Sequence, residues 1–174
     1  MHHAAAPSCA TWWNSCGAPP FKSCGPLRAH EKQAAARKRR STTYAVILET
    51  GDEAIECLQQ FVKKEGISAA QLTAIGALSD AKLNYFDREQ KTYLSIPVHE
   101  QVEVAALVGD VALAPSGEPT LHIHIVLGRR NGSAFAGHLA EAHVRPTLEV
   151  IVTEPPVHLQ KVHDPESGLA LIRP

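Results

Sequence analysis

Residues 121–139 read LHIHIVLGRRNGSAFAGHL, and this stretch decides the predicted fold. Side chains two apart on a strand point to the same face, so His122 and His124 would stand side by side. An Asn-Gly pair between two apolar runs is typical of a hairpin turn, which would fold the strand carrying His138 back alongside the first. The stretch therefore predicts a β-hairpin on which three histidines converge.

The spacing of these histidines points to a metal site. Neutral imidazole is the commonest nitrogen ligand for zinc and also suits iron, nickel and copper. His122, His124 and His138 would supply three nitrogens to one divalent transition metal, zinc before the others, and leave a position open for water or a substrate oxygen. The same alternation also fits an amphipathic strand whose polar face carries histidines without a metal, and this alternative stays open.

A few polar residues near the hairpin are candidates for supporting roles. Glu141 and His143, shortly after His138, are predicted to form a second shell of ligands or to supply a general base. The alternative is that both are exposed polar residues of a loop. Asp110 follows Gly109 at a predicted bend, where a turn-forming role accounts for it.

The remaining pattern predicts an α+β fold, with many short strands in a mostly antiparallel sheet and one main helix. Asp52 is predicted to cap this helix, and Gly66 to end it, because apolar residues fall at helical spacing between them. The predicted strands are 43–49, 71–78, 81–87, 92–96, 98–113 with a bulge or bend at Gly109, 121–127, 133–139 and 147–153.

The chain of 174 residues divides into one predicted domain with two flanking segments. Residues 1–42 are rich in small residues and charge without hydrophobic periodicity, which predicts a disordered, basic, cysteine-containing extension. The alternative is that residues 1–40 are translated from a mis-assigned start. The domain follows over 43–154, and a C-terminal tail over 155–174 begins where Pro155-Pro156 is predicted to end regular structure. No membrane span or secretion signal is evident, so a cytoplasmic protein with reduced cysteines is expected.

Charge is distributed unevenly along the chain. Residues 1–43 carry 7 basic residues and 1 acidic residue, a net +6, whereas the remainder carries 10 basic and 17 acidic residues, a net −7. An acidic domain repels phosphate and lacks the basic surface of a nucleic-acid reader. The candidates for DNA contact are Arg37, Lys38, Arg39 and Arg40, which would touch a phosphate backbone without reading bases. Any DNA binding is therefore predicted to be weak and non-specific.

Motifs of several enzyme classes are missing from the sequence. A cupin metal site places a glutamate a few positions after its HxH pair, but Gly128 and Arg129 occupy those positions here. The sequence contains no Gly-rich phosphate loop, GxSxG elbow or HExxH helix. Because no clear acid–base pair accompanies the histidines, a metal-dependent enzyme is kept only as an alternative to a binding module.

Five segments together resemble the PPC ("plants and prokaryotes conserved") domain family over Tyr44 to Val152. They are YAVILETGDEAIECLQQFVKKEGI, AAQLTAIGALSDAKLNYFD, VEVAALVGDVAL, LHIHIVLGRRNGSAFAGHL and EAHVRPTLEVIV. The chain departs from the family at Ala136-Gly137, where the run before the third histidine is usually Gly-Gly. It departs again at Val102-Glu103-Val104, in a strand that usually reads Phe-Glu-Ile.

The resemblance to this family also implies an assembly and a function. It implies a compact homotrimer, which composition and spacing do not indicate. The Arg-Gly-Arg-Pro hook that accompanies this domain in plant chromatin proteins is absent from the chain. The function expected first is therefore a trimeric metal- or small-ligand-binding module, with a DNA-associated regulator as the alternative.

Overall fold

The structure is a computed structural model that describes residues 41–155 and 158–173. Within these residues it contains eight strands and one helix. They are β1 (Thr42–Glu49), α1 (Ala54–Glu65), β2 (Ala69–Asp87), β3 (Thr92–Val98), β4 (Val102–Leu113), β5 (Pro119–Gly128), β6 (Ala134–Glu154), β7 (Gln160–His163) and β8 (Ala170–Arg173). The predicted α+β class with a mostly antiparallel sheet and one main helix is confirmed.

The strands form one sheet that closes on itself. Strand β2 pairs with β6 and also with β4, while β5 pairs with both β4 and β6, so that these four strands make a ring. β1 pairs with β6, and β3 pairs with β2. Because β4, β5 and β6 are direct neighbours, side chains from three separate parts of the sequence meet on one face of the sheet.

Helix α1 lies close to its predicted position. Its N-cap is Glu53 rather than the predicted Asp52, and the Glu53 carboxylate accepts the backbone N–H of Glu56 at 2.6 Å. The Asp52 carboxylate is instead used by the preceding turn, where it accepts the N–H of Glu49 at 3.0 Å. Gly66 adopts the left-handed conformation with a φ of 65° and ends the helix as predicted.

The hydrophobic core joins α1 to the inner face of the sheet. Leu58, Phe61 and Val62 of the helix are buried in the same cluster as Ile123 and Ile125 of β5. Burying one such side chain stabilises the fold by about 1.5–3 kcal/mol. Residues of β5 alternate between buried and exposed. The exposed residues His122, His124 and Val126 therefore lie on the opposite surface of the sheet, which we call the outer face.

Two pairs of predicted strands are each one long strand in the structure. The predicted break at Ser79-Asp80 is only an irregularity in the register of β2. The Ser79 hydroxyl donates to the carbonyl of His143 at 3.3 Å, so a polar pair typical of turns is bonded within the sheet instead. Strand β6 similarly runs without a break through the predicted strands 133–139 and 147–153.

The predicted bulge at Gly109 is wrong. The register between β4 and β5 shifts between Val104 and Ala106 instead. Gly109 lies where the backbone of β5 comes very close, since a Cβ added there would be 2.7 Å from the carbonyl oxygen of His122. The glycine is therefore required by close backbone approach and not by a bend.

Regular structure does not end at Pro155-Pro156 as predicted. Strands β7 and β8 form an antiparallel hairpin within the predicted tail. Its turn is closed by the N–H of Asp164, which donates to the carbonyl of Leu169 at 2.7 Å. Strands of four residues are too short to give a clear periodic pattern, which explains why the sequence does not predict them.

Further sequence expectations concern the cysteines, the membrane and the N-terminal segment. Cys57, buried on α1, is disulfide-bonded, so the expectation of reduced thiols is wrong for this residue. No helix in the described ranges is long and apolar enough to cross a membrane. Residues 1–40, including the basic run 37–40, lie outside the described residues, so the predicted extension over 1–42 stays a prediction.

Candidate metal centre

The three predicted histidines come together on the outer face of the sheet. His122 and His124 lie two residues apart on β5 and point the same way. His138 of β6 is the direct register partner of His124. The connection between these strands is closed by two backbone bonds, from Gly132 to Arg129 at 2.9 Å and from Arg129 to Ser133 at 2.8 Å. The predicted histidine hairpin is confirmed.

The geometry of the three rings suits a single ion. One ligand atom from each of His122, His124 and His138 can be chosen so that all lie within 4.8 Å of one another. The Nε2 atoms of His122 and His124 are 3.3 Å apart. A tetrahedral zinc ion with bonds of about 2.0–2.1 Å holds its nitrogens about 3.4 Å apart. The first pair is already at this separation, and a small closure would bring in His138.

The protonation state of the rings also suits metal binding. The pKa of His124 lies below the ordinary value of 6.5 because burial disfavours the charged ring and because His122 adds repulsion. The pKa of His138 is lowered by burial and by the charges of His122, His124 and Lys161. A histidine binds a metal through a neutral ring, so these shifts keep the nitrogens available at neutral pH.

Asp110 is a site residue that the sequence reasoning missed. It lies on β4 directly opposite His122, and its Oδ2 is 3.4 Å from Nδ1 of that histidine. Burial raises the pKa of Asp110, but the hydrogen bond from His122 and the charge of Lys161 outweigh burial and leave it below its ordinary value. An ionised Asp110 favours the His122 tautomer that carries its proton on Nδ1, and Nε2 of this ring lies 3.3 Å from Nε2 of His124.

A turn signal in the sequence could have revealed this contact. Residues 115–118 read PSGE, and the N–H of Gly117 donates to the carbonyl of Ala114 at 2.8 Å. A hairpin centred on this turn places Asp110 opposite His122, as the register shows. Interpreting Asp110 only as a turn residue was therefore wrong, because the turn lies after β4 rather than within it.

Lys161 reaches the site from β7 and was also missed. It is the only charged residue that is buried within 41–155 and 158–173, with 8% of its surface exposed. Its Nζ donates to the hydroxyl of Thr120 at 3.3 Å and lies 3.8 Å from Oδ1 of Asp110. Because it belongs to the segment predicted to be an irregular tail, no pattern near the histidines indicates it.

The structure places the other predicted site residues elsewhere. Nδ1 of His143 lies 2.8 Å from the Asp80 carboxylate, and this hydrogen bond raises the pKa of His143 above its ordinary value, although burial by itself lowers it. Glu141 pairs in register with Lys82 of β2. Tyr93 of β3 is instead the residue stacked against the cluster, with its ring 5.4 Å from the ring of His138.

Comparison with known proteins shows which family has this fold. Several solved structures share the fold, and among them is a plant- and prokaryote-conserved protein from Pyrococcus horikoshii. It is 33% identical, with a TM-score of 0.72, and the match covers 82% of this chain and 98% of that one. A metal-containing protein from Archaeoglobus fulgidus is 29% identical over 82% of this chain and 100% of its own, also with a TM-score of 0.72.

A third similar structure comes from Bacteroides thetaiotaomicron and belongs to a protein to which DNA binding is ascribed. It is 29% identical, with a TM-score of 0.72 over 75% of this chain and 91% of that one. Among curated protein sequences, none matches the chain significantly. The model of the Plants and Prokaryotes Conserved (PCC) domain matches residues 35–156, which is most of the chain. The chain therefore belongs to the Plants and Prokaryotes Conserved domain family.

Proposed function

We propose that this protein binds one divalent transition metal, zinc, through His122, His124 and His138. The observation that carries the proposal is the convergence of three imidazoles, with two Nε2 atoms 3.3 Å apart, on neighbouring strands. Three protein nitrogens leave one coordination position for water or a small ligand. The similarity to the metal-containing protein from Archaeoglobus fulgidus supports the same function.

The surroundings of the histidines support a transition metal such as zinc. Neutral nitrogen ligands suit zinc and related transition metals better than magnesium or calcium, which prefer oxygen. The Asp110 carboxylate at Nδ1 of His122 is the outer contact that orients a zinc-binding imidazole and raises its basicity. When bound, the ion would supply Lewis acidity at its open position.

A competition experiment with a zinc chelator tests the ligand set. His138→Ala removes one of the three nitrogens and is expected to weaken zinc binding by about 100-fold or more. His143→Ala is the matched control, because it removes a histidine of the same strand that is bonded to Asp80. Equal losses in the two variants would show that the ligand set is wrong, and wild-type protein without zinc affinity would refute the proposed function.

We further propose that the protein assembles as a homotrimer, as the family resemblance implies. Apolar residues on the outer face support an interface between copies. Thr73 of β2 is the register partner of both Val108 of β4 and Ile151 of β6, so these two side chains flank it on one surface. Val108 is 54% exposed, Ile151 is 43% exposed, and Ile75 two residues along β2 is 62% exposed. Apolar residues clustered in this way mark an association surface.

DNA binding is the alternative function, and the similarity to the protein from Bacteroides thetaiotaomicron supports it. The charge distribution limits it to the N-terminal segment, because the chain after residue 43 carries a net charge of −7. Binding through residues 37–40 would be electrostatic and independent of sequence. A truncated protein starting at Ser41 separates the two functions, because it should keep zinc affinity and lose any DNA affinity.

A further inference from the structure

The structure contains a charge pair beside the histidine cluster, in which Lys161 is buried and Asp110 is partly buried. Lys161 and Asp110 approach to 3.8 Å, and the other oxygen of Asp110 faces Nδ1 of His122 at 3.4 Å. The lysine comes from the β7–β8 hairpin, which lies beyond the residues matched by the family model. A buried ammonium is unusual and needs a compensating contact, so its position beside a metal site calls for an explanation.

Lys161 and Asp110 make few hydrogen bonds, so their charges still act on the groups around them. The Lys161 ammonium has one hydrogen bond among the described residues, to Thr120 at 3.3 Å, although it has three N–H donors. Oδ1 of Asp110 is buried and has no hydrogen-bond donor within reach in the described part of the chain. The two groups therefore compensate each other mainly by charge rather than by a tight hydrogen bond.

The net charge of the site with a metal bound is the sum of the charges of its groups. Three neutral imidazoles contribute no charge, a divalent ion contributes +2, Asp110 contributes −1 and Lys161 contributes +1. Without the lysine, the carboxylate would reduce the site to a net +1. With the lysine, Asp110 can still orient His122 while the site keeps the full charge of the ion.

We propose that Lys161 offsets the charge of Asp110 so that the metal site stays strongly cationic and takes a small anion as its fourth ligand. This inference rests on the proposed metal function and adds the chemical class of the ligand. It also predicts that Lys161 acts on the metal and on the anion in opposite directions. The ammonium repels the cation and attracts the anion, and both effects act through space.

The size of these effects follows from the separation of the charges. Lys161 lies 3.8 Å from one oxygen of Asp110, whose other oxygen faces His122, so the ammonium is on the order of 10 Å from a metal held by that ring. In the dielectric of bulk water, a unit charge at that distance changes the affinity for a dication about fourfold and that for a monoanion about twofold. The site is half-buried, so these are lower bounds.

The experiment uses the full chain loaded with cobalt(II), whose absorption reports the ligand at the open position. Azide serves as the anionic probe, and imidazole as the neutral control probe. Lys161→Met is expected to raise metal affinity at least about fourfold and to lower azide affinity at least about twofold, with imidazole affinity unchanged. Asp110→Asn should change the azide affinity in the opposite direction, and Lys161→Arg should resemble the wild type because it keeps the charge.

A matched control is available on α1. Lys63→Met removes a lysine that pairs with Glu118 at 3.4 Å on the surface, and it should leave both affinities unchanged. If Lys161→Met weakens metal and azide binding together, the lysine only supports the fold and the inference is overturned. Unchanged azide affinity in a variant that still binds metal also overturns it. Should Lys161→Met not fold, Asp110→Asn carries the test, since it must strengthen azide binding. Wild-type protein that binds no cobalt refutes the metal function itself.

Discussion

Replacing Gly109 with alanine should disturb the proposed metal site through the backbone that carries it. A Cβ at this position would lie 2.7 Å from the carbonyl oxygen of His122 and 2.8 Å from Cγ1 of Ile123. Ordinary contacts of a Cβ begin near 3.4 Å, so the strands must separate by about 0.7 Å. The carbonyl oxygen in the way belongs to the backbone and cannot rotate aside, so β5 must move at His122, the first of the proposed ligands.

Two opposing effects determine how much the Gly109→Ala substitution changes the free energy of unfolding. Overpacking of this kind costs about 1–3 kcal/mol, whereas losing the conformational freedom of glycine in the unfolded chain favours alanine by about 0.4–1 kcal/mol. We expect a net destabilisation of about 1–2 kcal/mol. Moving His122 away from Asp110 should also weaken zinc binding by about 10–100-fold, the usual effect of losing such an outer contact.

Gly128→Ala is the matched control on the same pair of strands. A Cβ there would meet Glu103 at 3.8 Å, an ordinary contact, so the variant should be as stable as the wild type or slightly more so. Urea denaturation of the metal-free proteins gives the stability, and chelator competition gives the zinc affinity. A Gly109→Ala protein with wild-type stability and affinity would refute the close approach of β4 and β5.

Three other predictions concern pH, assembly and DNA. The pKa values of His124 and His138 are lowered in the fold, so the unfolded chain binds protons first, and the metal-free domain should lose stability as the pH falls below about 6.5. His143, whose pKa is raised, contributes with the opposite sign over the same pH range, so the test is a comparison of variants. A pH dependence from 7 to 5 that is the same in the wild type and in a His124→Ala, His138→Ala variant would contradict those environments. Ile151→Asp should dissociate the proposed trimer because it puts a charge on the apolar outer face, and light scattering that finds the same mass for variant and wild type would refute this interface. Any DNA binding through residues 37–40 should show a log–log salt slope near about −3.6, from about 0.9 per phosphate contact, and tight sequence-specific binding by a protein lacking residues 1–40 would refute this account.

The sequence predicts the histidine cluster well because its signals are local. The HxH pair and the Asn-Gly turn lie within a few residues, so strand periodicity and turn chemistry suffice to bring His138 to His124. The same local signals predict the end of α1 at Gly66. In each case a short stretch of chain contains all the information that decides the structure.

The residues that support the cluster were not predicted because their contacts depend on register and topology. Asp110 faces His122 only if the β4–β5 hairpin has one particular register, and a slip of one residue would turn the carboxylate to the other face. Lys161 lies 51 residues further along the chain from Asp110, on a strand too short to show periodicity. Glu141 and His143 are candidates because they are near His138 in sequence, but the strand that follows His138 leads His143 to Asp80.

The most direct test is the metal content of the purified protein, measured by elemental mass spectrometry on the wild type and on the double variant His122→Ala, His124→Ala. We expect close to one equivalent of zinc per subunit in the wild type. In the variant, the bound zinc should be lost while the melting temperature of the metal-free domain is kept, because both histidines lie on the outer face away from the core. Equal and negligible zinc in both proteins, after zinc has been supplied during expression, would contradict the central claim.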